Sequence, residues 1–328
     1  MIKNTRIHAK AYSKLGQSGT AFGVGLMEVQ KNNAEVFVLS ADMAKPAGLS
    51  RFMTKYPDMF FNMGIAEQNL IGVAAGMASE GKKVIATAQA CFISMRSCEQ
   101  IRQYMGYMGS NVIAVGISSG FSLTYFGNTH YAIEDLSIMR SIPGITILAP
   151  SDAGQAAKAL MAACMMDGPV YIRLGGTLNC PIVYDYDYDF EIGKSIIAME
   201  QELADVSILA TGTMVHKACR AADILKEEHQ LLVRVIDMHT VKPLDEATID
   251  QSSDSALLVS IEEHNVIGGL GSAISEYISS SRQPPPLLRL GVQDSFSQPG
   301  DYEYLLKQNR LQPEEIANDI LKGYGNIK

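Results

Sequence analysis

Short apolar runs alternate with longer amphipathic stretches along most of this 328-residue chain. In the first half, the apolar runs that have the length of buried strands are VFVLS (36–40), KVIATA (83–88), NVIAVGI (111–117), ITILAP (145–150) and PVYIRL (169–174). The stretches between them have the length and periodicity of helices. Strands that alternate with helices predict an α/β fold whose parallel sheet is covered on both faces.

The alternation is interrupted once, by an acidic, tyrosine-rich stretch at residues 175–192. It then resumes with the apolar runs VSILAT (206–211), LLVRVID (231–237), ALLVSIEE (256–263) and LLRLGV (287–292). A chain of this length is long enough for two domains of ordinary size. We therefore predict two doubly wound α/β domains, residues 1–178 and 191–328, joined by a linker at 179–190.

Composition argues against several classes of partner. The net charge is −8 without a basic cluster, whereas binding of nucleic acid requires concentrated Lys and Arg. No apolar run reaches the roughly 18 residues of a membrane helix, and the polar start MIKNTRIHAK does not resemble a signal peptide. The five cysteines form no CxxC pair, which favours reduced thiols. We expect a cytoplasmic protein that binds neither nucleic acid nor membranes.

Ligands of open parallel sheets bind beyond the carboxyl ends of the strands. The segment FFNMGIAEQNLIGVAAGMA (60–78) leads from a short strand through a glycine turn into a helix and places Glu67 in the first helical turn. Alone, Glu67 is most simply a carboxylate that stabilises a helix N-terminus. The whole string, however, resembles the pyrimidine-binding domain of transketolases and their relatives.

Further segments resemble the same family in a consistent order over nearly the whole chain. They are LSADMAKP (39–46), ATAQACFISMRSCEQIR (86–102), SGFSLTYFGNTHYAIEDLSIMRSIPGITILAPSD (119–152), ILATGTMVHKA (208–218) and SIEEHNVIGGLGSAISE (260–276). The last two resemble the family's C-terminal domain. The resemblance implies a thiamine-diphosphate enzyme that transfers a two-carbon ketol unit from a ketose to an aldose.

The resemblance also implies roles for individual residues. Glu67 would bind the aminopyrimidine of the cofactor and relay a proton, and His130 would face the reacting carbon. Asp42 would lie near the thiazolium, Met43 would support the bent cofactor, and Phe92 would stack on the pyrimidine. The complete set of expected cofactor contacts is Asp42, Met43, Ile65, Glu67, Phe92, Ile93 and Arg96.

The expected substrate contacts are Ser118, Phe126, Asn128, His130 and Arg173. Three positions depart from the ordinary transketolase pattern. Phe126 replaces an Asp, Ser118 replaces a His, and Gly176 replaces an Arg that binds sugar phosphate. Because a phosphate without Arg or His partners loses charge-assisted hydrogen bonds, we expect a ketose donor that is modified or lacks the usual terminal phosphate.

The Gly-Asp-Gly motif of the family's diphosphate-binding domain is absent from the sequence. We therefore expect a separate N-terminal transketolase subunit to supply that domain and to hold Mg²⁺ with its oxygen ligands. This chain would contribute no metal ligand. The expected assembly is an α2β2 heterotetramer.

Four other interpretations remain open at this stage. A beta-type subunit of a 2-oxo-acid dehydrogenase shares the same domains and the Glu-Gln run. A 1-deoxyxylulose-phosphate synthase is disfavoured because it is normally one long chain. A non-catalytic scaffold subunit is disfavoured by the presence of Glu67 and His130. A simple nucleotide-binding α/β protein is disfavoured because no GxGxxG follows the first strand and no GxxxxGK[ST] loop is present.

Overall fold

Two mainly parallel sheets organise the chain and confirm the predicted α/β class. The computed structural model describes residues 2–32 and 35–327. The first sheet takes its parallel strands from the first half of the chain: β1 (Val36–Ser40), β2 (Phe60–Asn62), β3 (Lys83–Gln89), β4 (Val112–Ile117), β5 (Thr146–Leu148) and β6 (Val170–Leu174).

The second sheet contains β7 (Ile196–Met199), β8 (Val206–Ala210), β9 (Val233–Asp237), β11 (Leu257–Asn265) and β12 (Leu287–Val292). Its order is β12-β11-β8-β9-β7, and only β7 runs antiparallel to its neighbour.

The strand β10 (Thr240–Lys242) crosses from the second half of the chain into the first sheet. There it pairs antiparallel with β5 and completes the order β10-β5-β6-β4-β3-β1-β2. The ammonium of Lys242 also donates to the carbonyls of Arg140 and Ile142 at 2.9 and 2.6 Å. The sequence pattern did not predict this strand.

Helices cover both faces of the first sheet because successive strand side chains point to opposite sides. On one face lie α1 (Arg6–Thr20), α2 (Met27–Lys31), α3 (Ser50–Lys55) and α8 (Ala153–Met165), with a π-helical turn between α1 and α2. On the other lie α4 (Glu67–Ser79), α5 (Ala90–Met95), α6 (Cys98–Gln100), the π-helical segment Ile101–Tyr107 and α7 (Asp135–Ser141). Short 3₁₀ turns occur at Pro57–Met59 and Thr124–Phe126.

The second sheet is covered in the same way. The helices α9 (Met214–His229), α12 (Tyr302–Gln308) and α13 (Pro313–Gly325) pack on one face, and α10 (Glu246–Ser252) and α11 (Leu270–Ile278) pack on the other. No helix in the described ranges combines the length and apolar character needed to cross a bilayer.

Buried polar contacts join the two halves. The Glu263 carboxylate, on β11, accepts a hydrogen bond of 2.6 Å from the backbone N–H of Phe121. The Asp237 carboxylate, at the end of β9, accepts hydrogen bonds of 2.8 Å from Gln155 in α8 and from the Tyr184 hydroxyl. The loop that follows β4 is therefore anchored on the second half of the chain.

Candidate active site

Loops that carry the predicted site residues follow adjacent strands of the first sheet. β1, β3 and β4 are neighbours and run parallel, so their carboxyl ends lie at one edge. Asp42 follows β1, the helix α5 with Phe92 follows β3, and Ser118 follows β4. This arrangement is the usual place of a ligand in an open α/β sheet.

Glu67 is the first residue of α4, as the sequence predicted. Its side chain is only 6% exposed and lies at the helix end where the macrodipole favours a negative charge. The carboxylate borders an open cleft of about 520 Å³ that is lined by Ile65, Ala66, Glu67, Gln68, Asn69 and Arg96.

Arg96 connects Glu67 to the aromatic part of the site. Its Nη1 donates a hydrogen bond of 3.0 Å to Oε1 of Glu67. The centre of the same guanidinium lies 3.7 Å from the ring centre of Phe92, close enough for a cation–π contact. Arg96 thus places a flat, nitrogen-bearing group between a buried carboxylate and an aromatic ring.

His130 lies against two phenylalanines. Its ring centre is 5.2 Å from that of Phe92, in an edge-to-face arrangement, and 5.1 Å from that of Phe126. Nδ1 of His130 lies 2.9 Å from the hydroxyl oxygen of Thr129, which leaves Nε2 as the other nitrogen able to meet a ligand. The residues Glu67, Arg96, Phe92 and His130 therefore form one connected group, which we call the site cluster.

Asn128 holds the His130 loop to the second half of the chain. Its side-chain amide donates to the carbonyl of Ser297 at 2.9 Å and accepts from the N–H of Ser297 at 3.2 Å. Both functional groups of the amide are used in this contact. These hydrogen bonds give Asn128 a positioning role in the His130 loop, and its contact with the substrate stays a prediction.

Asp42 has an exposed side chain and a backbone φ of 57°, in the left-handed region that few non-glycine residues adopt. Asn62 stabilises this conformation, since it accepts from the Asp42 N–H at 3.0 Å and donates to the Asp42 carboxylate at 3.1 Å. The same amide oxygen accepts from the Gly64 N–H at 3.1 Å. Asn62, which the sequence analysis did not single out, thus couples Asp42 to the turn before Glu67.

The other expected cofactor contacts differ in exposure. Ile65 is 76% exposed at the cleft beside Glu67, and Met43 is half-buried against the core. Ile93 is fully buried in the core between the first sheet and its helices. The helix α5 turns Ile93 toward the sheet while the neighbouring Phe92 faces His130, and contact of Ile93 with the cofactor stays a prediction.

Arg173 forms buried contacts within the chain. Its guanidinium is buried and donates to the Asp135 carboxylate at 2.9 and 3.1 Å. A further nitrogen donates to the carbonyls of Ala132 and Glu263, each at 2.9 Å. Because a buried charge requires such compensation, these contacts give Arg173 a structural role, and its contact with the substrate stays a prediction.

Ser118 lines a second opening at the same edge of the sheet, a cavity of about 630 Å³ that we call the distal cavity. Its lining includes Gly176, as the sequence analysis expected for the substrate end, together with Lys45 and Arg51. Lys45 lies three residues after Asp42, and Arg51 is the second residue of α3.

The site cluster fits the aminopyrimidine of thiamine diphosphate. Such a ring is flat and carries nitrogens, so Phe92 offers it a stacking face and Glu67 offers its nitrogens a hydrogen-bonding carboxyl group, and both residues already contact the flat Arg96 guanidinium. Within the described residues, no group of three or more His, Cys, Asp or Glu side chains could hold a metal ion.

Comparison with known families matches two consecutive domains. The family described as transketolase, pyrimidine binding domain, matches residues 17–179, and the family described as transketolase, C-terminal domain, matches residues 196–316. These ranges contain all the residues of the site cluster.

Individual relatives agree with this assignment. The chain is 38% identical to a putative transketolase C-terminal section of Methanocaldococcus jannaschii, over 92% of this chain and 94% of the relative. It is 39% identical to a 6-deoxy-6-sulfo-D-fructose transketolase subunit of a Clostridium species, over 89% of each chain. A solved structure described as split gene transketolase, inactive beta4 tetramer, is 36% identical with a TM-score of 0.84, over 95% of this chain and 99% of that one. The chain belongs to the transketolase family and spans its pyrimidine-binding and C-terminal domains.

Proposed function

We propose that this chain is one subunit of a heteromeric, thiamine-diphosphate-dependent transketolase that transfers a two-carbon ketol unit from a ketose donor to an aldose acceptor. The observation that carries the proposal is the site cluster, in which Glu67 and His130 are joined through Arg96 and Phe92. The similarity to transketolase subunits supports the same reaction class.

Three residues of the cluster, Glu67, Phe92 and His130, have chemical tasks in this proposal. The cofactor, when bound, supplies the nucleophilic carbon and the electron sink of the reaction. Glu67 would form a hydrogen bond with a nitrogen of the pyrimidine and hold or release a proton there. Phe92 provides the face on which that ring stacks. His130 donates a hydrogen bond to substrate oxygens and moves protons at the hydroxyls that react.

The partner in this proposal is an N-terminal transketolase subunit that binds the diphosphate and Mg²⁺, in an α2β2 assembly. Two exposed apolar side chains support coverage of the site by a partner: Ile65, which lines the cleft, is 76% exposed, and Phe126, beside His130, is 64% exposed. A related solved structure is described as an inactive beta4 tetramer, which supports the idea that this half needs a second kind of chain.

The donor that we propose is a modified or non-standard ketose. Phe126 places an apolar ring beside His130, where a hydroxyl-reading Asp was expected from the family pattern. The related subunit that is named for 6-deoxy-6-sulfo-D-fructose gives one example of such a sugar.

The domain limits that we propose are 1–178 and 191–328, with a linker at 179–190. The change of sheet between β6 and β7 supports these limits.

The cellular compartment that we propose is the cytoplasm. The five cysteines are free thiols, which supports this location.

Reconstitution with the partner subunit tests the proposal. We expect ketol transfer between a ketose and an aldose only when both chains, thiamine diphosphate and Mg²⁺ are present. Decarboxylation of pyruvate by the same assembly, without ketol transfer, would favour the beta-type subunit of a 2-oxo-acid dehydrogenase. Full activity of an assembly that carries Glu67→Gln would favour a non-catalytic scaffold role for this chain.

A further inference from the structure

A carboxylate from the second half of the chain holds the loop that carries His130. Glu263, on β11, is only 2% exposed, and its Oε1 accepts a hydrogen bond of 2.6 Å from the backbone N–H of Phe121. Phe121 lies near the start of the His130 loop, which comprises residues 119–132. The group that fixes the start of this loop therefore comes from the second sheet, whereas the site cluster lies on the first.

The backbone next to Phe121 is shaped to receive this carboxylate. Gly120 has a φ of 62°, and a Cβ placed on it would overlap Oε1 of Glu263, so only glycine fits at this position. The same glycine exchanges two backbone hydrogen bonds with Ala132, at 3.0 and 3.1 Å. Because Ala132 is two residues after His130, this pair links the position of Glu263 to that of the histidine.

Further hydrogen bonds fix Glu263 itself. Its Oε2 accepts from the hydroxyls of Thr213 and Tyr302, the latter at 2.6 Å. Its backbone carbonyl accepts from Nη2 of Arg173 at 2.9 Å, and the same nitrogen donates to the carbonyl of Ala132 at 2.9 Å. Both oxygens of the carboxylate therefore have partners, and the backbone of Glu263 is tied to the end of the His130 loop.

The neighbouring Glu262 is an internal comparison. It is as buried as Glu263, at 1% exposed, but its carboxylate accepts from the backbone N–H groups of Leu270 and Gly271 at 2.7 and 2.9 Å. Successive side chains of a strand point to opposite faces, so the two carboxylates contact different segments. Thus β11 carries one carboxylate that holds the start of α11 in its own domain and another that reaches the His130 loop.

We propose that Glu263 is a positioning residue for His130. Its carboxylate fixes the backbone at Phe121, and the pair between Gly120 and Ala132 transmits this position to the histidine. The proposal rests on the proposed function and deepens it, because it gives the C-terminal domain a task in the reaction. A contact that only joined the two domains would support the fold and leave turnover per folded enzyme unchanged.

The test compares Glu263→Met, Glu263→Gln and the matched control Glu262→Met in the assembled two-chain enzyme. Misplacement of a catalytic group by about 1 Å can cost about 10²-fold, so we expect kcat/KM for ketol transfer per folded enzyme to fall at least about tenfold in Glu263→Met and less than about twofold in Glu262→Met. Gln keeps an oxygen for the Phe121 N–H and an amide that can donate to the Tyr302 hydroxyl, so Glu263→Gln should stay within about threefold of wild type.

A double-mutant cycle with His130→Ala separates positioning from a structural role. If Glu263 acts through His130, Glu263→Met should lower the residual turnover of the His130→Ala enzyme by less than about twofold. The same fall in both backgrounds overturns the proposal, and so does an equal fall in Glu263→Met and Glu262→Met.

Hydrogen exchange of the full chain without its partner tests the geometry independently of the reaction. We expect faster exchange in residues 119–132 of Glu263→Met, because the Phe121 N–H loses its acceptor, and unchanged exchange there in Glu262→Met. If every enzyme lacks ketol transfer while the loop responds in this way, the proposed function fails and the link between Glu263 and the loop stands. Unchanged exchange in the loop of Glu263→Met overturns the proposal.

Tyr302→Phe repeats both measurements with the carboxylate in place, so the test does not depend on the folding of Glu263→Met. This substitution removes only the hydroxyl that donates to Oε2 of Glu263. We expect a fall of about threefold in kcat/KM and a smaller increase in exchange of the His130 loop, since one hydrogen bond to the carboxylate is lost. No change in either measurement counts against the proposal.

Discussion

Arg96 donates a hydrogen bond of 3.0 Å to Glu67, although the arginine side chain is 47% exposed and the carboxylate is only 6% exposed. The accessible partner can therefore move while the buried one stays at the start of α4. A ligand that displaces the Arg96 guanidinium from the face of Phe92 must also replace the hydrogen bond that Arg96 donates to Glu67. This relationship leads to the first two predictions.

Replacement of Glu67 by Gln should abolish turnover of the two-chain enzyme and leave the fold intact. Gln keeps the size of the side chain but cannot exchange the proton, and such a proton contributes about 10²–10⁴-fold to the rate. Ketol transfer under saturating cofactor, together with circular dichroism, measures both effects. Activity above about a tenth of wild type would remove Glu67 from the proton relay.

Replacement of Arg96 by Met should lower the free energy of unfolding of the isolated chain by about 1 kcal/mol or less, because the arginine side of the pair is about half exposed to solvent. The loss should disappear when Glu67 is already Gln, which a double-mutant cycle measures by chemical denaturation. Arg220→Met, whose partner Asp223 lies on the surface one helical turn away, serves as the control. Additive effects of the two substitutions would show that the pair does not stabilise the free chain.

Replacement of Arg173 by Met should destabilise the chain by about 3 kcal/mol or more, since it leaves the buried Asp135 carboxylate unpaired. Adding Asp135→Asn should recover part of that loss. Thermal unfolding of the single and double variants measures the effect. A stable Arg173→Met protein with a raised KM for the donor would instead support the substrate role that the sequence predicted.

The stability of the chain should depend on pH through Asp237. Burial raises the pKa of this carboxyl from its ordinary value near 3.8 to about 7. Between these pH values the folded chain keeps a proton that the unfolded chain has lost. The free energy of unfolding therefore falls as the pH rises from about 4 to 7, by about 1.4 kcal/mol per unit of pKa shift.

Asp237→Asn retains an oxygen that can accept from Gln155 and Tyr184 but does not titrate. The variant should therefore gain stability relative to wild type as the pH rises from 4 to 7. Above pH 7 the difference in unfolding free energy between the two proteins should stay constant. Denaturant unfolding at several pH values provides the measurement. A constant difference across the range would exclude a raised pKa at this site.

Much of the fold could be predicted because its strands are buried on both faces and read as continuous apolar runs, as in β4 and β6. The position of Glu67 at a helix start followed from the glycine turn before it. β10 could not be predicted in this way, because its three residues are too few for a periodic signal and its pairing depends on a distant partner, Leu148.

Side-chain partners were harder to predict than elements. The sequence identified Phe92 and Ile93 together, but their opposite orientations depend on how α5 packs on the sheet. It likewise could not indicate that Arg173 points to Asp135, which lies 38 residues away in the chain. These contacts arise only when distant segments meet in three dimensions.

The crossing of β10 has a consequence for the first domain on its own. A fragment that ends at residue 178 lacks Thr240–Lys242, and the backbone groups of β5 that pair with this strand lose their partners. An uncovered strand edge is a template for association with another chain. The separated fragment should therefore self-associate through β5, whereas the full chain caps that edge with its own backbone.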